Sequence, residues 1–261
     1  MSTYQQSFDL LRRLAKDTFL RMQYGYELDC VQSEETITDI NLLDIKKENL
    51  YFFRVDKTNK IEEKEKGIDW EFWIGSNGIG WHRYAVQAKR LYLESGKYDR
   101  LRHKHKGASH FQIDILENYS KATGAIPLYC FYNAVDEKML KKHWHCNHPK
   151  ELEQLGCTLV PLKIVKKAHK AYAPKTFEAL HQHKSAKPWQ CLLCPASFLQ
   201  EDMMPPGGLL PEGQVKKYER LPQHLEYFRE VGTLRDLPED LYSSELRGYP
   251  KRIMVLDVGF E

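Results

Sequence analysis

Residues 67 to 91 constrain this chain more than any other stretch: GIDWEFWI and WHRYAVQAKRL, two β-rich runs, flank the cluster GSNGIG. That arrangement predicts a β-hairpin with a loop of several residues. With the turn centred near Gly78, Asp69 lies opposite Gln87 and Glu71 opposite Ala85. Side chains alternate along a strand, so Asp69, Glu71 and Trp73 share a face of the first run, and Ala85, Gln87 and Lys89 share the matching face of the second. An amide and a lysine in a strand that otherwise reads as buried need partners or a task, because burying an unpaired charge is costly.

The flanking segments extend the hairpin into an α/β fold. Phe8, Leu11, Ala15, Phe19 and Met22 recur at helical spacing and stop near Gly25. Ser33 is placed to cap a second helix, SEETITDINLLDIKK, with acids in its first turn. Residues 50 to 55 read as a strand. Ser109 is placed to cap a third helix that ends at Gly124, followed by the apolar run AIPLYCFYN, typical of an interior strand. Strand, helix, strand is the pattern of a parallel crossover, so the expectation is a mixed β-sheet flanked by helices. Residues 1–135 form the expected core and 136–261 a C-terminal extension packed on the same body. The extension carries expected helices at 149–155 and 174–184, a loop at 203–213 and a last strand in KRIMVLDVGFE.

At 261 residues, 42% hydrophobic and 29% charged, the chain is too apolar for disorder. No apolar run approaches the roughly 18 residues a membrane span needs, and the N-terminus lacks a signal-peptide core, so a cytoplasmic protein without a membrane partner is expected. Six cysteines without a signal peptide read as reduced thiols or metal ligands. No G-x-S-x-G elbow and no Walker P-loop occurs, which disfavours acyl transfer and nucleotide-driven work.

Two carboxylates and an amide oxygen form a hard-oxygen set suited to Mg²⁺ (or Mn²⁺), and a neighbouring ammonium suits phosphodiester hydrolysis. The solvated alternative is a cross-strand salt bridge from Asp69 and Glu71 to Lys89, which is worth little. GID(69)WEFW followed by VQ(87)AK(89)RL resembles the PD-(D/E)xK nuclease superfamily, in the Mrr-like variant with glutamine at the second acid position. The resemblance covers about residues 30 to 133 and implies a restriction endonuclease-like αβββαβ core. It matches Asp69 to the metal-binding aspartate, Gln87 to the (D/E/Q) position and Lys89 to the catalytic lysine. It also implies an acid from the preceding helix, where Glu34 and Glu35 stand in order and Glu35 is preferred. Because glutamine supplies one anion fewer, the metal leans on Glu35 or Glu71. The stretch also resembles a bacterial family sharing the ETITD, GxDWEFW and QAKRL segments, which implies an antiviral, phage-defence effector.

The net charge of +3 is small, but KYDRLRHKHK (97 to 106) and the stretch from Lys163 to Lys187 are locally basic. Arg90, Arg100, Arg102, Lys104 and Lys106 are the candidate contacts to a nucleic-acid backbone, with a solvated loop as the bland alternative. Gln112 lies on the crossover helix and reads either as a surface residue or as one facing the site. HWHCNH and CLLC offer Cys146, His148, Cys191 and Cys194 for Zn²⁺, although CLLC reads equally as a buried apolar turn with inert thiols. The expected activity is that of a metal-dependent endonuclease acting on DNA, with RNA not excluded. The alternative is a catalytically silent nucleic-acid or partner-binding module of the same fold. Because nucleases of the fold this chain resembles often work as dimers, the resemblance implies a homodimer as one option, and the sequence does not decide the oligomeric state.

Overall fold

The computed structural model describes residues 2–57, 68–104, 109–193, 216–235, 237–238, 241 and 250–259. The chain is α/β, with a seven-stranded mixed sheet flanked by helices. From the second helix to the fourth strand the order is αβββαβ: α2 (Glu34–Lys47), β1 (Phe53–Lys57), β2 (Trp70–Ser76), β3 (Gly80–Arg90), α3 (Gln112–Thr123) and β4 (Ile126–Tyr132). Ahead of it runs α1 (Thr3–Glu27). After it come α4 (Glu137–His143), β5 (Cys157–Pro161), α5 (Leu162–His169), α6 (Phe177–His181), the short β6 (Lys187–Pro188), α7 (Gln223–Val231) and β7 (Arg252–Asp257).

The hairpin register is the expected one. Trp70 pairs with Val86, Glu71 with Ala85 and Ser76 with Gly80, which centres the turn on Gly78. β4 runs parallel to β3, joined through α3. The Ser33 hydroxyl caps α2 by accepting from the Thr36 amide at 3.1 Å, and Gly124 stops α3 in the left-handed region (φ 75°). The start of α3 departs from expectation: Phe111, with no side-chain cap, occupies the position expected of Ser109, and the helix begins at Gln112. In place of helices at 149–155 and 174–184 there are a 3₁₀ turn at Leu152–Gly156 and the shorter α6. The loop expected at 203–213 lies outside the described residues.

The strand order is β1-β7-β2-β3-β4-β5-β6. β7 therefore lies inside the sheet, antiparallel to β1 and parallel to β2. Its run RIMVLD is buried except for its last residue, as a strand paired on both edges should be. The boundary expected at residue 135 thus does not divide the sheet.

Apolar residues occupy both faces. Trp70, Phe72, Val86, Leu128 and Met254 face a core that takes in Leu11, Leu14 and Ile37 from α1 and α2. On the opposite face, Trp73, Ile253 and Val255 pack against Leu225 and Phe228 of α7. The same face of β3 carries Gln87 and Lys89, which are not covered by that second core. Among the described residues no helix is long and apolar enough to cross a membrane.

Candidate active site

The Asp69 amide donates to the Val86 carbonyl at 2.9 Å, which extends the hairpin ladder by one residue and holds Asp69 at the mouth of β2. Its Oδ2 accepts from the Ala88 amide at 2.6 Å and from Gln87 Nε2. Two residues further along β3, Lys89 Nζ donates to Gln112 Oε1 at 2.8 Å, so the crossover helix reaches back to the lysine. Gln87, Lys89 and Gln112 are all buried, and Asp69 is half-buried. The register brings the acid, the amide and the lysine together as expected, and Gln112 faces the site.

The electrostatics follow from this burial. Loss of solvent raises the Asp69 pKa above its usual 3.8, against the opposing charge of Lys89 and the Ala88 hydrogen bond. The same loss of solvent lowers the Lys89 pKa, opposed by the charges of Asp69 and Glu34. The helix acid whose charge reaches both residues is thus Glu34. Its Oε1 is buried without a hydrogen-bond partner, and so is Gln87 Oε1. Two orphaned oxygens beside a desolvated carboxylate fit a hard cation, which would satisfy them at once. Among the described residues no group of three or more His, Cys, Asp or Glu side chains is gathered for a metal ion. The donor set here is two carboxylates and one amide.

Glu35 and Glu71, expected as further metal ligands, are engaged elsewhere. Glu35 is 61% exposed and binds Lys251 Nζ at 2.6 Å and Arg252. The hydrogen bond from Lys251 holds its carboxyl below the usual range. Adjacent helical residues point about 100° apart, so only one of the pair can face the hairpin. Glu71 is fully buried with both oxygens occupied. Trp73 Nε1 donates to Oε1 at 2.6 Å, while Arg83 Nη2 and the Tyr119 hydroxyl donate to Oε2 at 2.8 and 2.6 Å. It shares a face with Gln87, but its lone pairs are committed to a structural network.

Arg252 was not among the expected site residues. It is 2% exposed, donates to Asp39 Oδ1 at 2.7 Å and to the Asp69 carbonyl at 3.2 Å, and so ties β7 to the backbone of the site acid. An arginine opening a buried strand was the available signal, since such a charge needs a partner.

The basic loop divides in two. Arg100 is exposed and its charge acts on Lys89. Arg102 instead donates to the carbonyls of Ala168, His169, Lys170 and Ala173, stapling the end of α5; its guanidinium is consumed there, which removes it from the expected backbone contacts. Lys104 is exposed, with Nζ 5.8 Å from the Phe111 ring centre. Arg90 points to the face opposite Lys89, its guanidinium 4.0 Å over the Tyr92 ring. Lys106 lies outside the described residues.

Of the four expected zinc ligands, Cys146 and Cys191 come together, with sulfurs 2.7 Å apart. His148 lays its ring against Phe8, and Cys194 lies outside the described residues. Burial pushes the Cys157 thiol up to about 12, as expected for an inert core cysteine.

Residues 8–255 match a protein family described as a family of unknown function (DUF6615). No curated protein and no solved structure matches the chain.

Proposed function

We propose that this chain, which belongs to the DUF6615 family over residues 8–255, is a metal-dependent endonuclease that hydrolyses phosphodiester bonds in DNA. The observation that carries the proposal is the pairing of orphaned oxygens on Glu34 and Gln87 with the desolvated Asp69–Lys89 pair. Ionisable groups held away from water at a strand end, beside polar atoms left unsatisfied, mark a site arranged for a ligand and not for stability.

Asp69, Glu34 and the Gln87 amide would hold Mg²⁺ or Mn²⁺. When bound, the ion lowers the pKa of a water and polarises a phosphoryl oxygen. Lys89 places its ammonium against the phosphate and stabilises the charge that develops there, in a setting dry enough to strengthen that interaction. Gln112 fixes the direction of the Lys89 amine through its 2.8 Å hydrogen bond. The Ala88 amide and Gln87 Nε2 orient the Asp69 carboxylate by donating to its Oδ2. Arg100, exposed with its charge acting on Lys89, and the exposed Lys104 suit the backbone of a bound strand. An antiviral role is part of the same proposal and rests on the sequence resemblance alone.

Incubation of the protein with plasmid, single-stranded DNA and RNA, each with Mg²⁺, Mn²⁺ or chelator, tests the reading. Metal-dependent DNA products are expected. Salt-dependent DNA binding with no product under any metal would favour the silent binding module, and products from RNA alone would reassign the substrate.

A further inference from the structure

Between α5 and α6 a tyrosine is held out in water. Tyr172 is 102% exposed, and its backbone lies in the left-handed region at φ 65°. It takes the third position of a turn closed by the Ala173 amide donating to the Lys170 carbonyl at 3.2 Å, a position where Gly or Asn is usual. A bulky side chain there strains the backbone, and a ring left in water gains nothing from burial. The turn is held all the same, because Arg102 donates to the carbonyls of His169 and Lys170 before it and of Ala173 at its end. Strain imposed from outside, on a side chain that contributes nothing to the core, is characteristic of ligand clamps.

The surroundings are cationic and lead to the candidate site. Lys170 opens the turn and is exposed, and the exposed Arg100 stands two residues from Arg102 in the 3₁₀ turn Asp99–Arg102. Lys104 lies beside the ring of Phe111, itself exposed, and that ring meets His169 edge-on at 5.0 Å, one residue before Lys170. Among the described residues no acid pairs with Arg100, Lys104 or Lys170; Glu117 is engaged by Lys166, and Asp99 accepts from the Ser95 hydroxyl. Next to Phe111, the Gln112 amide donates to the His103 carbonyl at 3.3 Å while its side chain accepts from Lys89. A run of contacts thus leads from Lys89 through Gln112, Phe111 and His169 to the tyrosine turn.

Cations that call for phosphates, around a ring that calls for a flat partner, describe a nucleic-acid strand whose bases are unpaired. In a duplex the base faces cover one another and a side chain on a turn does not reach them, whereas in a single strand a base is available to stack while cations follow the backbone. An acidic peptide would satisfy the cations but gives the tyrosine no flat partner. We propose that this surface binds unpaired DNA, with a base stacked on Tyr172 and the backbone passing Lys170, Lys104 and Arg100 toward the site. The preference for an unpaired strand rests on the surface itself; that the strand is DNA, and is the substrate, rests on the proposed function.

Fluorescence anisotropy with the full chain in chelator tests it, with a labelled single-stranded DNA, the same strand annealed to its complement, and RNA of the same sequence as probes. The single-stranded DNA is expected to bind more tightly than the duplex. Tyr172→Gly is expected to weaken single-strand binding about tenfold or more and to leave duplex binding unchanged, while Tyr172→Phe keeps both. Because glycine relieves a left-handed position, the thermal midpoint of Tyr172→Gly should not fall, as it would if the ring served the fold. Lys104→Ala combined with Lys170→Ala should weaken binding of both forms and flatten its salt dependence. No binding of any probe, duplex bound as tightly as the single strand, RNA bound more tightly than the DNA, or single-strand affinity unchanged in Tyr172→Gly would overturn the proposal. Cleavage is read separately in Mg²⁺: its absence beside a Tyr172-dependent preference for the single strand would remove the nuclease reading and leave this surface standing.

Discussion

Glu34 and Glu35 are neighbours with different surroundings, and substitution separates the roles proposed for them. Glu34→Gln removes a charge felt by Asp69 and Lys89 and is expected to raise the Mg²⁺ concentration for half-maximal cleavage about tenfold or more. Glu35→Gln removes a surface ion pair and is expected to leave that midpoint unchanged. A shift in the second variant but not the first would reverse the assignment. Glu71→Gln tests the buried network by removing the negative charge that Arg83 pairs with; about 3 kcal/mol of unfolding free energy should be lost in urea titration. Asp69 carries a pH signature. Its folded pKa lies above the ordinary value, so the unprotonated form is the one that burial penalises. The metal-free protein should therefore lose stability as pH rises from the usual carboxylate range through that raised pKa. Asp69→Asn keeps an oxygen to accept the Gln87 and Ala88 hydrogen bonds and should abolish this slope. The check is the difference in unfolding free energy between the two proteins, in chelator, from about pH 4 to about pH 8.

At the scale of elements, the hairpin was legible because its information is local. A turn cluster fixes the register, and alternation then fixes the faces, so Asp69, Gln87 and Lys89 could be placed together from their spacing. β7 was legible as a strand, from the run RIMVLD, but not in its position, because no local pattern records which strands sixteen dozen residues earlier, roughly, will accept it. The same gap in range concealed Arg102. Its run of positive charge reads as solvated, while the carbonyls that consume it lie on a segment about 70 residues away. The sequence alone favours Glu35, whereas Glu34 is the acid whose charge reaches Asp69 and Lys89, because the phase of α2 against the sheet is set by packing of Ile37 and Leu42 and not by the acids themselves. Since β7 fills the sheet between β1 and β2, a chain stopped at residue 249 is expected to lose cooperative unfolding altogether, as read by circular dichroism. A folded, cooperative product would show that the first six strands close the sheet without it.

Across the whole molecule, the αβββαβ order and the C-terminal strand form one sheet, and the buried Arg252 binds that last strand to the Asp69 carbonyl. The candidate site thus draws on both ends of the chain: Glu34 from the second helix, the acid, amide and lysine from the hairpin, Gln112 from the crossover, and backing from β7. In the proposed reading, Lys89 takes part in chemistry and not in holding the sheet together. The most direct measurement compares wild type and Lys89→Ala for Mg²⁺-dependent cleavage of DNA, with binding in chelator and thermal unfolding measured on the same preparations. Cleavage lower by about a hundredfold or more, with binding and unfolding little changed, is the predicted result. Cleavage that survives the substitution in a folded protein would contradict it.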